Sequence, residues 1–282
     1  MKYRKDILSI VSILLLIVIS GTGVLSIDFS KSFEVTNQYG DIVKMYGSGI
    51  YAHDSFFKAP ILIGTDICVL FGLVPLFIYS FLQNRNERSN RSKVKLLSVY
   101  AAAFYYAASI SFGVTYNHYH LLYIALFSCT LFGLFSIVRE IKLKELDYKV
   151  IKGVCLFLIL AGAALIVAWM PDIVSSILSN KSLMLIEVYT TEITYVLDMG
   201  IIGPLCLICF NLLRKEDKLG IVILACLLKT CIIVGIMMIS QTACQILSGY
   251  EVTIPVLITK SGSFVLLGGF ALYFNKKLYN EL

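Results

Sequence analysis

Residues 187–213 read EVYTTEITYVLDMGIIGPLCLICFNLL. The run is long and apolar enough to cross a bilayer, yet it holds Glu187, Glu192 and Asp198, and then the pair Gly203-Pro204. A carboxylate near the middle of a membrane helix costs roughly 2.5–3.5 kcal/mol on insertion scales, so such groups have a partner or a task. Gly and Pro loosen the backbone ladder there and let freed carbonyls face a cavity or a neighbouring helix. The stretch points to a polar pocket inside a membrane protein. It does not name what enters that pocket.

The rest of the chain agrees on the class. Of its 282 residues 58% are hydrophobic and 15% charged, and the mean hydropathy is +0.84. Soluble domains carry about 25% charged residues. Apolar runs of about twenty residues, each enough to span roughly 30 Å of hydrocarbon, recur along the whole length. The expected fold is all-α: one polytopic transmembrane domain, 1–282, of about eight helices. The net charge of +6 sits in short loops between spans, which orients a protein in the bilayer and calls for no nucleic acid. Seven of the eight Cys lie in apolar spans and Cys244 just past one, so no secreted disulfide framework is expected.

Lys2, Arg4 and Lys5 precede an apolar run from Ile7 to about Ile27. It is longer than a secretory h-region and lacks a clean A-x-A site, so it reads as a retained first span. Residues 28–59 form the longest polar segment. Within it, Tyr39-Gly40-Asp41 reads as a turn between two strand-like arms, and both a small extracytoplasmic hairpin and an irregular loop remain open. Further spans are expected at about 60–82, 96–114, 119–138, 153–169, 193–213, 219–240 and 254–275. Trp169, the only Trp, is read as an interfacial anchor. After it, Ile173, Val174, Ile177 and Leu178 share one face, which predicts a short surface helix over about Asp172–Leu178.

Orientation follows from the basic residues. The N-terminus, loops 83–95, 139–152 and 214–218, and the C-terminal tail hold all the Lys and Arg except Lys31, Lys44, Lys58, Lys181, Lys229 and Lys260. The positive-inside rule places both termini in the cytoplasm, and the expected location is the bacterial plasma membrane. A loose four-plus-four repeat, 1–147 and 148–282, is also open. Asp66 precedes Gly72 and Pro75 much as Asp198 precedes Gly203 and Pro204, although the spacings differ.

Sorted by depth, His53, Asp54, Asp66, His118, His120, Glu187, Glu192, Asp198 and Lys260 all fall on the outer side or in the outer halves of spans. That is the pattern of a membrane-embedded pocket open to the exterior. Candidate substrate- or ion-binding residues are therefore Asp66, Asp198, Glu192, His118, His120 and Lys260. Tyr105 and Lys229 join them, because a mid-span Lys can meet a carboxylate or the Tyr105-Tyr106 region by a cation–π contact. Asp66 and Asp198, at matching depths, are expected to face one shared outward cavity. An H-x-H pair in a turn lacks a fixed third ligand, so no metal is assigned. Cys206 and Cys209 read as buried packing rather than a redox pair. No G-x-S-x-G elbow, P-loop or dinucleotide fingerprint occurs, so no cofactor is expected and no catalytic residue is named.

The runs YGSGIYAHDSFFKAPILIGTDICVLFGLVPL, FGVTYNHYHLLYIALFSCTLFGL and YVLDMGIIGPL resemble a family of bacterial multi-span membrane proteins with no established activity. The resemblance implies the topology and draws attention to Gly49, Tyr51, Asp54, Asp66, Asn117 and Asp198, without roles. Three functions stay open, all with the lipid bilayer as a partner. The leading one is transport or binding of an ion, proton or small cationic substrate in an outward pocket, for which broken acid-bearing helices are the usual pointer. A membrane enzyme acting on a lipid or lipid-linked substrate, with His118 or His120 in acid–base roles, is the second. A sensor or partner subunit is the third.

Overall fold

The computed structural model describes residues 2–149, 152–250 and 261–282. About 75% of the chain is helical. Helix α1 is Lys2–Leu25, and strands β1 (Phe33–Thr36) and β2 (Ile42–Met45) follow. Then come α2 (Lys58–Glu87), α3 (Asn90–Gly113) and α4 (His120–Val138). The second half holds α5 (Lys152–Val167), α6 (Met170–Ser179), α7 (Ile193–Arg214), α8 (Lys218–Leu247) and α9 (Ser263–Glu281). Seven helical segments among the described residues are long and apolar enough to cross a membrane, α5 and α6 counting as one. The protein is an all-α polytopic membrane protein. Of the eighth expected span, 254–275, the first residues lie outside the described ones; the chain is helical from Ser263 onward.

The 30-residue α8 lies at the centre and packs against α2, α3, α7 and α9. Small residues set these approaches. A Cβ on Gly64 would come within 2.5 Å of the Gln241 backbone, and one on Gly235 within 3.0 Å of Gly268 Cα. Membrane helices gain most from close backbone contact, because lipid offers no hydrophobic reason to associate. Large apolar side chains such as Leu14, Phe71, Phe132, Leu156, Ile239 and Leu266 stay exposed around the bundle, as a lipid-facing belt requires.

The segments rich in Lys and Arg meet at one end. Asn90 and the Lys142 backbone exchange two hydrogen bonds of 3.2 Å, Lys149 N donates to Glu281, and Lys218 pairs with Asp147 at 3.6 Å. At the other end the polar segment 28–57 forms a cap. Its strands pair antiparallel with Phe33 opposite Met45 and Thr36 opposite Ile42, so the hairpin alternative holds. Asn37 closes the turn, its Oδ1 accepting from Tyr39 N and Asp41 N while Gly40 takes a φ of 89°. The hairpin docks onto the chain before α7 through Asn37 Nδ2 to Glu187 O (3.0 Å) and Gln38 Nε2 to Tyr189 O (3.3 Å).

Helices α2 and α7 each carry a widened turn. In α2 it covers Val69–Leu73, and in α7 Asp198–Ile202. Each ends in a bond five residues long, from Val74 N–H to Val69 O and from Gly203 N–H to Asp198 O. Pro75 and Pro204 follow directly, each six residues after the first widened residue. A proline offers no N–H and crowds the carbonyl four residues back, and an extra residue in the turn relieves both problems. A short helix does follow Trp169, as α6, with a turn at Ala168 and Trp169 setting it off from α5, although by length and hydropathy 153–179 forms one candidate span. Val174, Ile177 and Leu178 form an exposed apolar face on it.

Candidate functional site

Both mid-helix acids are fully enclosed, and each has its own partners. Asp66 receives 2.6 Å bonds from the hydroxyls of Tyr51, at the end of a short 3-10 turn in the cap, and of Tyr106 on α3. Gly23 of α1 lies against the same carboxylate, so closely that a Cβ there would overlap it. Asp198 accepts from Tyr105 Oη at 3.0 Å and from the Trp169 indole at 3.1 Å. Tyr105 and Tyr106 are neighbours on α3, about 100° apart around its axis, so that helix reaches one acid on each side.

This corrects the expectation of one shared outward cavity. The two carboxylates sit in separate helix interfaces, each closed by its own hydrogen bonds. It also corrects the reading of Trp169 as an interfacial anchor. Its side chain is buried, stacks on Tyr195 at 4.6 Å between ring centroids, and donates to Asp198.

The other candidates scatter. Glu192 takes Lys58 in a forked contact of 2.7 and 2.8 Å. Lys229 lies 6.0 Å from the Tyr279 ring, toward the basic end, and not beside Tyr105 or Tyr106. His118 is exposed, and His120 packs beside the rings of Tyr116 and Tyr123. Lys260 lies outside the described residues. Among the described residues no group of three His, Cys, Asp or Glu is placed to hold a metal ion. Cys206 and Cys209 are buried, the latter donating to Gly220 O.

What the structure does gather is a polar network under the cap. Asp54, at 0% exposure, accepts from Tyr189 Oη (2.9 Å) and Thr115 N (3.0 Å) through Oδ1. Its Oδ2 is buried with no hydrogen-bond partner among the described residues. Ser55 Oγ donates to the Glu187 carboxylate and caps α2 by accepting from Lys58 N at 3.1 Å. Lys58 Nζ lies 4.6 Å from the Tyr189 ring as well as on Glu192. The network thus ties the cap to the starts of α2 and α7 and to the turn before α4. Burial pushes the Asp54 carboxyl up to about 7, against the bonds from Thr115 and Tyr189 and the nearby Lys58 charge. Burial also raises Glu187, opposed by Ser55 and Lys58.

Glu187 links this network to a cavity. About 550 Å³ of space lies between the hairpin and the α6 segment, lined by Asp41, Lys44, Asp172, Lys181, Glu187 and several serines of 175–182. Glu187 holds a φ of 48°, a left-handed backbone that non-glycine residues rarely adopt and that collects at functional positions. The sequence marked Glu187 and Asp54 as outer acids but gave no signal for Ser55, Lys58 or Tyr189 as their partners. Comparison with family models, curated proteins and solved structures finds no match for this chain.

Proposed function

We propose that this multi-span membrane protein binds a small organic cation, an amine in class, in the cavity between the hairpin and α6. The observation that carries the reading is Glu187, a half-buried carboxylate on a left-handed backbone that faces both the cavity and the Ser55–Lys58–Asp54 network. Asp41 and Asp172 add two more carboxylates, so the three acids outnumber Lys44 and Lys181 in the lining, and the serines offer neutral hydrogen-bond partners. A ligand ammonium beside Glu187 would compete with Lys58 for its field, so occupancy would be felt at the start of α2. Binding is favoured over passage because Asp66 and Asp198, the carboxylates within the spans, are closed off by tyrosines and an indole. The enzyme reading has less to stand on, because His118 is exposed and His120 packs beside the rings of Tyr116 and Tyr123.

The test is thermal unfolding of the purified chain in detergent with choline, putrescine and arginine, and with acetate as the anionic control. The expected result is a rise in Tm with at least one amine and none with acetate. Glu187→Gln and Asp41→Asn should each weaken that amine about tenfold, which corresponds to 1.4 kcal/mol. Stabilisation by acetate alone, or amine shifts unchanged in both variants, would reject the reading.

A further inference from the structure

At the opposite end of the bundle lies a second cavity of about 340 Å³, built by the ends of α1, α2, α3 and α4. Its volume falls within the roughly 300–1,000 Å³ of ligand sites. The deep wall is apolar, with Phe81, Leu96 and Ile137. Tyr100 lies across the floor, bonded to Ser9 Oγ at 2.9 Å and seated where Gly133 lacks a side chain. The rim is cationic. Arg85 ends α2, Arg88 caps it with a φ of 52°, and Lys93 comes from the first turn of α3 and donates to Glu140 O at 3.2 Å. Asp6 and Glu140 also line the space, so the charge is mixed, but guanidinium pairs favour one class of partner.

From this arrangement we infer a binding site for a phosphate-bearing anion, with Arg85, Arg88 and Lys93 as its ligands. Arg presents a planar fork of donors that matches phosphate oxygens two at a time, and Lys adds a point charge. An apolar wall directly behind a cationic rim fits a phospholipid, whose headgroup would meet the arginines while its first methylenes meet Phe81 and Leu96. Basic pockets between helix ends are where anionic headgroups are held. The place agrees: Ile7, Ile10, Leu82 and Phe135, on the same ends of α1, α2 and α4, are exposed apolar residues of the lipid-facing surface. A soluble phosphate ester would use the same three cations without the apolar wall.

The experiment compares the full-length chain in phosphatidylcholine nanodiscs, in nanodiscs containing phosphatidylglycerol, and in phosphatidylcholine nanodiscs with added glycerol 3-phosphate. Tm and retained lipid, read by native mass spectrometry, are the measurements. The lipid source predicts phosphatidylglycerol retention and a higher Tm that Arg85→Gln and Arg88→Gln each reduce, at roughly fivefold in affinity per charge removed. A shift with glycerol 3-phosphate, lost in the same variants, supports the site with a soluble ligand. Arg91→Gln and Lys144→Gln, which remove equal charge from the same end, should leave binding intact. Equal losses in these controls, or no difference between the lipids and none with the ester, would overturn the site.

Discussion

Helices α2 and α7 carry the same device, a widened turn six residues ahead of a proline, and hold their acids differently. In α2 the acid precedes the widened turn by three residues; in α7 it opens the turn. Asp66 is gripped by two phenols at 2.6 Å, one from the cap and one from α3, with α1 pressed against it through Gly23. Asp198 has longer bonds, 3.0 and 3.1 Å, to α3 and to the turn between α5 and α6. Asp66 therefore joins the cap to three helices of the bundle, whereas Asp198 joins only the more peripheral α5–α7 pair to α3. The same sequence cue, an acid before Gly and Pro, marks a helix deformation; what the acid does depends on which elements the deformed turn lets it reach.

Removing the acids should expose this difference most strongly. Asp66→Ala leaves the Tyr51 and Tyr106 hydroxyls buried without an acceptor, at about 1–3 kcal/mol each. We expect a loss of about 3–5 kcal/mol and release of the cap, read as faster proteolysis within 28–57. Asp198→Ala should cost less, about 1–3 kcal/mol, and leave the cap protected. Equal losses, or an intact cap in Asp66→Ala, would mean that the cap is held without this carboxylate.

A third carboxylate, Asp54, lets pH separate cap from bundle. Its ordinary value is 3.8, and burial raises it to about 7 in the folded protein. The folded state thus keeps a proton that the unfolded state releases, so stability falls as pH rises from about 4 to about 7 and is level above that. Glu187, also raised, adds to the same trend; Lys58, Tyr189 and the Thr115 amide are the other groups facing Asp54 or its neighbour. At about 1.4 kcal/mol per unit the ceiling is near 4 kcal/mol, and water reaching a loosened cap brings the expected loss to about 2 kcal/mol. Hydrogen exchange of the β1 and β2 amides should accelerate over this window, and Asp54→Asn should flatten the dependence. Exchange that slows with rising pH, after correction for the intrinsic rate, would contradict it.

The membrane class, the helices and the basic ends were legible, because each follows from local composition or periodicity, whereas the weak alternation of 28–59 left hairpin and irregular loop equally open. Asp66 and Asp198 were legible as buried acids for the same reason. Their partners were not. Whether Tyr105 or Tyr106 meets Asp66 depends on the rotation of α3 and on which helices flank it, and a widened turn shifts the facing of everything beyond it. Trp169 shows the cost of a local rule: at the end of a span a Trp reads as a lipid anchor, and only the fold shows the indole turned inward to Asp198. Ser55, Lys58 and Tyr189 carried no signal, since their contacts join residues more than 130 positions apart.

The smallest effect, and the sharpest test of the comparison, lies in the adjacent pair Tyr105 and Tyr106. Each →Phe change removes one hydroxyl and little volume, so the two differ chiefly in the bond lost. A hydrogen bond to a charged acceptor contributes about 1.5–3 kcal/mol, and an ordinary one about 0.5–1.5. Tyr106→Phe strips Asp66 of one of its two short bonds and should lower stability by about 2 kcal/mol. Tyr105→Phe, with the indole still on Asp198, should cost about 1 kcal/mol. The double mutants with Asp→Ala decide whether these are the bonds at issue. Tyr106→Phe should add almost nothing to Asp66→Ala, and Tyr105→Phe almost nothing to Asp198→Ala, while the crossed pairs should add, since each bond then acts in its own interface. Additivity within the matched pairs, or strong coupling in the crossed ones, would return the two acids to a single shared site.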